Sequence, residues 1–150
     1  MLKGIIHVGL TVTDLDRSVA FYRDVLGLSY LGEMEMEGPE TERLFQRKGC
    51  KARVAYLNGR RELAAPPVEL IQFVGQEPER QAGDLFRTSI SELCFAVEDI
   101  DRESRRLKEM GVEFLSEPQT FDSTQYGFGK SWAVYLRDPD GIVLELLQPL

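Results

Sequence analysis

Near the N-terminus apolar and non-apolar residues alternate, with Val8, Leu10 and Val12 interleaved with His7, Gly9 and Thr11. A period of two predicts a β-strand with one face on a core and the other open. Asp14 then stands where a helix N-cap accepts the first free amide protons, and the helix it starts is expected to stop at Gly27, a residue suited to the left-handed C′ position. The pattern returns 85 positions later without a gap, with His7–Arg17 aligning with Glu92–Arg102. There Leu93, Phe95 and Val97 alternate with Glu92, Cys94 and Ala96, Asp99 takes the cap position and Gly111 the stop.

Strand signals follow each helix: Leu28–Met34, Ala52–Leu57 and Val68–Phe73 in the first half, then Val112–Leu115, Ser131–Leu136 and Ile142–Leu147 in the second. Asp138-Pro139-Asp140-Gly141 joins the last two with residues that a type I turn favours, which sets the side chains of the final strand that face inward. Each half thus reads as a βαβββ module. An open four-stranded sheet with one helix leaves a face uncovered, so two modules are expected to pack together. The predicted fold class is α+β: two βαβββ modules, paired edge to edge in the chain or swapped across a dimer, forming a curved mixed sheet around a metal cavity. Residues 1–150 are expected to form one domain, with module one at about 1–74, a linker rich in Gly, Pro, Gln and charge at about 75–88, and module two at about 89–150.

The 150 residues carry a net charge of −7 with 43% hydrophobic and 29% charged positions, the balance of a globular protein with a real core. That charge repels phosphate backbones and anionic lipid, so neither nucleic acid nor membrane is an expected partner. Arg60-Arg61 beside Asn58-Gly59 reads as a loop tip. The apolar stretch Gly4–Val12 is too short, and too interrupted by His7 and Gly9, for a signal peptide or membrane span. Cys50 and Cys94 have no CxxC spacing and suit reduced thiols, which makes the cytoplasm the expected location.

Alternation also places the chemistry. With Val8, Leu10 and Val12 under the helix, His7 points to the opposite, concave face beside small neighbours, and Glu92 does the same in the second module. The last strand of each half carries a glutamate in apolar surroundings, Glu69 in Val68-Glu69-Leu70-Ile71 and Glu145 in Val143-Leu144-Glu145-Leu146. A carboxylate there is costly to bury unless paired or bound to metal. Each of the four alone reads more simply as a satisfied or partly exposed residue. Together they occupy equivalent places in two repeats, where a pseudo-twofold axis would gather them. Three carboxylates so gathered would raise one another's pKa values without a cation, which predicts one divalent ion held by His7, Glu69, Glu92 and Glu145. The donor set suits Mn²⁺, Fe²⁺, Co²⁺, Ni²⁺ or Zn²⁺.

Three stretches, His7-Val8-Gly9-Leu10, Phe21-Tyr22-Arg23-Asp24-Val25-Leu26-Gly27-Leu28 and Asp138-Pro139-Asp140-Gly141-Ile142-Val143-Leu144-Glu145-Leu146, resemble the vicinal oxygen chelate superfamily of glyoxalases, methylmalonyl-CoA epimerases, extradiol dioxygenases and bleomycin or fosfomycin resistance proteins. The resemblance covers essentially the whole chain. It implies metal ligands from the first and last strands of each module, which are His7, Glu69, Glu92 and Glu145 here. A histidine is usual where this chain has Glu92, a departure that weakens the dioxygenase reading. Glu69 is similar to glyoxalase I, but that family carries an arginine four residues after the first ligand to hold glutathione, and here Thr11 stands there.

The resemblance implies a metal-dependent lyase or isomerase of glyoxalase type. Such an enzyme acts on a small oxo or hydroxy substrate through a metal-stabilised enediolate, with Glu145 or Glu69 as the catalytic base and the divalent ion as the one cofactor. The alternative is a non-catalytic small-molecule binding or antibiotic-resistance protein of the same fold. A homodimer with a small-molecule substrate is the expected assembly. Gln119–Lys130, where Phe121, Tyr126 and Phe128 are interspersed with Ser123, Gly127 and Gly129, reads either as a loop that closes over a ligand or as a long connection whose aromatics pack on the sheet. Met34–Glu42 is its counterpart in the first half, with solvated acidic residues.

Overall fold

The computed structural model describes residues 4–59, 67–81, 83–86 and 88–150; the Arg60-Arg61 loop tip lies outside them. The chain divides into two compact units, Met1–Arg80 and Gln81–Leu150.

In the first unit β1 (Val8–Thr11) leads into α1 (Leu15–Ala20), which continues as a π-helical turn over Phe21–Val25. Then follow β2 (Ser29–Met36), α2 (Pro39–Leu44), β3 (Ala52–Asn58) and β4 (Val68–Phe73). The sheet order is β1-β4-β3-β2, with β1 parallel to β4 and the other neighbours antiparallel. Val8 and Leu10 lie opposite Val68 and Leu70 in register, so these apolar side chains share the face that α1 covers. Leu10, Val12, Leu15, Val19, Tyr22, Leu57 and Leu70 are all buried there, and each such side chain contributes about 1.5–3 kcal/mol. The alternation then leaves Gly9, Tyr56 and Glu69 together on the opposite face.

The second unit repeats this with β5 (Leu93–Ala96), α3 (Ile100–Glu109), β6 (Gln119–Asp122), β7 (Lys130–Arg137) and β8 (Val143–Pro149), in the order β5-β8-β7-β6. Again the first and last strands are parallel, and Ile100, Leu107, Leu136, Leu144 and Leu146 are buried. Asp14 and Asp99 cap their helices, accepting from the amides of Arg17 and Arg102 at 3.0 and 2.9 Å. A second acceptor comes from the last strand of each module: Gln72 takes the Leu15 amide at 3.3 Å and Gln148 the Ile100 amide at 2.8 Å.

Several elements differ from expectation. Val112–Leu115 is not a strand; Phe114 makes an isolated bridge to Leu136, and the strand that pairs with β7 is Gln119–Asp122. Pro118 lacks an amide proton, and the side chains of Ser116 and Gln119 both bond the Glu117 carbonyl, so the backbone at 116–118 is drawn out of a ladder. The first helix is not uniformly α: its last turn widens, with the Leu26 amide bonding the Phe21 carbonyl at 3.0 Å, before Gly27 turns left-handed at φ +80°. Pro39 at the first helical turn starts the short α2 inside a stretch expected to be a loop.

The aromatic segment is a closed hairpin tip. Ser123 bonds Gly129 and Phe128 through the backbone, and Tyr126 and Phe128 stand 70% and 85% exposed, so these rings do not pack on the sheet as one of its two readings required. At the other end of β7, Asp138 is buried and its Oδ1 accepts from the amides of Asp140 and Ile142 at 2.9 and 2.8 Å, closing the turn into β8. Gly83 is fastened to that turn, its amide bonding the Gly141 carbonyl at 3.1 Å while Arg137 reaches its carbonyl at 3.2 Å.

Candidate metal-ligand pairs

His7 stands one residue before β1, and Glu69 is the second residue of β4. Parallel pairing sets Gly9 opposite Glu69, which brings the two side chains to the same end of the sheet. His7 Nε2 lies 3.2 Å from Glu69 Oε2. Glu69 is 8% exposed, while the imidazole is exposed at 42%. The other carboxylate oxygen, Oε1, accepts from the Tyr56 hydroxyl at 2.5 Å. Tyr56 is opposite Glu69 in the β3–β4 ladder, and its ring meets that of His7 edge-on at 6.3 Å between centroids. Desolvation, then the hydrogen bond to Glu69, then the charge of that carboxylate push the Tyr56 phenol up to about 12. It therefore stays a donor across the physiological range.

The absence of a side chain at Gly9 gives Glu69 its place. A Cβ there would stand 3.2 Å from Glu69 Oε2 and 3.4 Å from Ile71 Cδ1, so the carboxylate lies directly over the bare backbone.

In the second unit the equivalent positions are Glu92, Cys94, Tyr135 and Glu145, with Glu145 opposite both Cys94 and Tyr135. Desolvation, followed by its interaction with Glu145 and the charge of Glu92, pushes the Cys94 thiol up to about 12. Tyr135 is raised too, by desolvation first and then by the charges of Glu145 and Glu92, without the hydrogen bond to Glu145 that acts on Cys94. Both carboxylates thus act on one small region. Among the described residues no hydroxyl donates to Glu145 as Tyr56 does to Glu69. Among the same residues no three or more His, Cys, Asp and Glu side chains gather as an ion site.

The pairs fit a divalent ion in their chemistry. Two donors each about 2.1 Å from an ion and at right angles stand about 3.0 Å apart, close to the 3.2 Å between His7 Nε2 and Glu69 Oε2. Imidazole and carboxylate suit the first-row divalent ions. A hollow of about 470 Å³ lies elsewhere, lined by Thr13, Asp14, Arg17, Glu77, Pro78 and Arg80.

Tyr56, Tyr135, Gln72 and Gln148 were not anticipated as partners from the sequence. Their signal is the second half of the repeat: Gln72 and Gln148 share the 76-residue displacement of Glu69 and Glu145, and Tyr56 and Tyr135 are 79 apart.

With this fold and these paired positions, comparison with known proteins places the chain. It belongs to the glyoxalase/bleomycin resistance protein/dioxygenase superfamily, whose family model matches residues 4–146. It is similar to a 2-epi-5-epi-valiolone epimerase of an Actinomyces species, 30% identical over 145 residues that cover 94% of this chain and 76% of the relative. It is also similar to the lactoylglutathione lyase of Haemophilus influenzae, 26% identical over 96% of this chain and 91% of the relative. A glyoxalase family protein of Bacillus cereus shares the fold, with a TM-score of 0.83 at 23% identity over 100% of this chain and 96% of the other.

Proposed function

We propose that the protein is a lyase or isomerase of glyoxalase type, dependent on one divalent ion bound by His7, Glu69, Glu92 and Glu145, acting on a small substrate with two neighbouring oxygens. The observation that carries this is the 3.2 Å approach of His7 to Glu69, two donors whose sequence equivalents in the repeat are a second ionisable pair, Glu92 and Glu145. The named activities of the epimerase and lyase relatives support the reaction class.

A divalent ion bound to these groups supplies positive charge at the two substrate oxygens, which acidifies the adjacent C–H. The chain's own part is proton transfer. A carboxylate takes the proton from that carbon, and the proton is returned to the neighbouring carbon by the same carboxylate or to the opposite face of the same carbon by a second acid, so that no net proton or electron is consumed. Of the two candidates, Glu69 has both oxygens engaged, one by the Tyr56 hydroxyl and one beside His7, whereas Glu145 meets only the Cys94 thiol, a weaker donor. Glu145 is therefore the ligand that swings away to act as base in this reading, and Glu69 the ligand that stays.

Protein incubated with Mn²⁺, Co²⁺, Ni²⁺ or Zn²⁺ and desalted should retain about one equivalent of ion by elemental analysis, and His7→Ala should retain much less. Well under half an equivalent, with no difference for His7→Ala, rejects the site. Full ion occupancy without exchange of the substrate-class α-proton into D₂O favours a binding protein over an enzyme.

A further inference from the structure

We propose that Tyr56 is a positioning residue for the ion site, holding Glu69 by its Oε1 so that Oε2 alone faces His7. The inference rests on the metal-ligand reading above and adds a residue outside the ligand set.

Three observations carry it. The Tyr56 hydroxyl is 2.5 Å from Glu69 Oε1, within the short range of an O–H bond to a charged acceptor. The opposite oxygen of the same carboxylate is the one beside His7 Nε2, so the two contacts divide the carboxylate between them. The strand register enforces the geometry, because Tyr56 and Glu69 are directly paired and Gly9, on the other side of Glu69, leaves room for its Oε2.

The chemistry follows from those contacts. A carboxylate with one oxygen committed to a phenol offers the remaining oxygen to an ion as the freer donor, which favours binding through that one atom. The hydrogen bond also removes rotational freedom at the end of the side chain, so less order is lost when an ion arrives. Edge-on contact between Tyr56 and His7 limits the imidazole on the same side. The second module provides its own comparison: Tyr135 occupies the corresponding register position opposite Glu145 but donates no hydrogen bond to it among the described residues. The positioning role belongs to one tyrosine of the pair.

The test measures Mn²⁺ or Co²⁺ affinity by competitive chelator titration at one pH for wild type, Tyr56→Phe, Glu69→Ala, the double variant of these two, His7→Ala and Tyr135→Phe. Tyr56→Phe should weaken affinity about tenfold, the low end of the range for residues that orient a metal ligand. The same change in the Glu69→Ala background should have no further effect, and Tyr135→Phe should leave affinity within twofold. A purely structural contribution of the phenol would instead give the same loss in both backgrounds, which overturns the proposal. So does wild-type affinity in Tyr56→Phe while Glu69→Ala binds weakly. If neither Glu69→Ala nor His7→Ala changes affinity, the metal-ligand reading itself fails. A measurement on ion-free protein separates the two: the Glu69 carboxyl ¹³C resonance should shift on Tyr56→Phe, and an unmoved resonance removes the hydrogen bond on which the role depends.

Discussion

Glu92 stands one residue before β5, in the place that His7 holds before β1, and puts a carboxylate where the first module has an imidazole. If Glu92 binds the ion, Glu92→His should bind Co²⁺ or Zn²⁺ at least as tightly, because imidazole is a strong ligand for the later divalent ions. Glu92→Ala should bind about tenfold or more weakly through the loss of a donor. The chelator titration must be made at one pH, since ligand protonation competes with the ion. Equal dissociation constants for wild type and Glu92→Ala take Glu92 out of the coordination sphere. At this scale the four candidate ligands were visible in the sequence, because the ungapped 85-residue displacement aligns the first strands and the apolar setting marks the two glutamates. Tyr56 was hidden. It alternates with apolar residues in β3, where an aromatic reads as core, and only pairing with a strand beyond residue 67 shows its hydroxyl reaching Glu69.

Between strand and helix, the recurring device is the glutamine of the last strand. Gln148 accepts the Ile100 amide at the start of α3, and Gln72 does the same for α1 while donating to the Thr13 carbonyl at 3.1 Å. Because Gln72 must face the helix, Glu69, three residues earlier in the same strand, must face away from it. The bond thus helps fix the side on which the ligand emerges. Gln148→Ala should cost about 1 kcal/mol, as losing a helix cap does, and lower Tm by about 2–4 °C for a chain of this size. Gln148→Glu, which keeps an acceptor at the positive end of the helix, should recover most of the loss. Equal Tm values for wild type and Gln148→Ala by thermal circular dichroism deny the bond a role. The modules' strands and caps were legible because alternation and Asp caps are local signals. The shift from Val112–Leu115 to Gln119–Asp122 was not, since an apolar Val-Glu-Phe-Leu run outweighs a Gln-Thr-Phe-Asp run by propensity, and only the competing bonds at 116–118 decide between them.

For the molecule as a whole, membership of the superfamily narrows the chemistry without naming the substrate. Thr11, exposed on the open side of β1, stands where enzymes that use glutathione are expected to carry an arginine. The chain should therefore turn over the hemithioacetal of methylglyoxal and glutathione at a kcat/KM below about 10⁴ M⁻¹s⁻¹, the low end for competent enzymes. Formation of the thioester, followed by absorbance with the protein loaded with each ion in turn, checks this. A value at or above that level restores the glutathione reaction, and with it the activity named for the Haemophilus relative.

The parallel pairing of β1 with β4 joins the first strand of a module to its last, across everything the module folds in between. His7 and Glu69 are 3.2 Å apart only while that seam is closed. Peeling β1 from the sheet edge therefore separates the two donors at once, before any other strand need move. Whatever binds both donors acts as a clasp on the seam, and by mass action it suppresses the edge strand's local opening. The amides of Leu10 and Val12 are thus natural reporters of occupancy, since their exchange with solvent deuterium slows in proportion to how firmly the clasp is held.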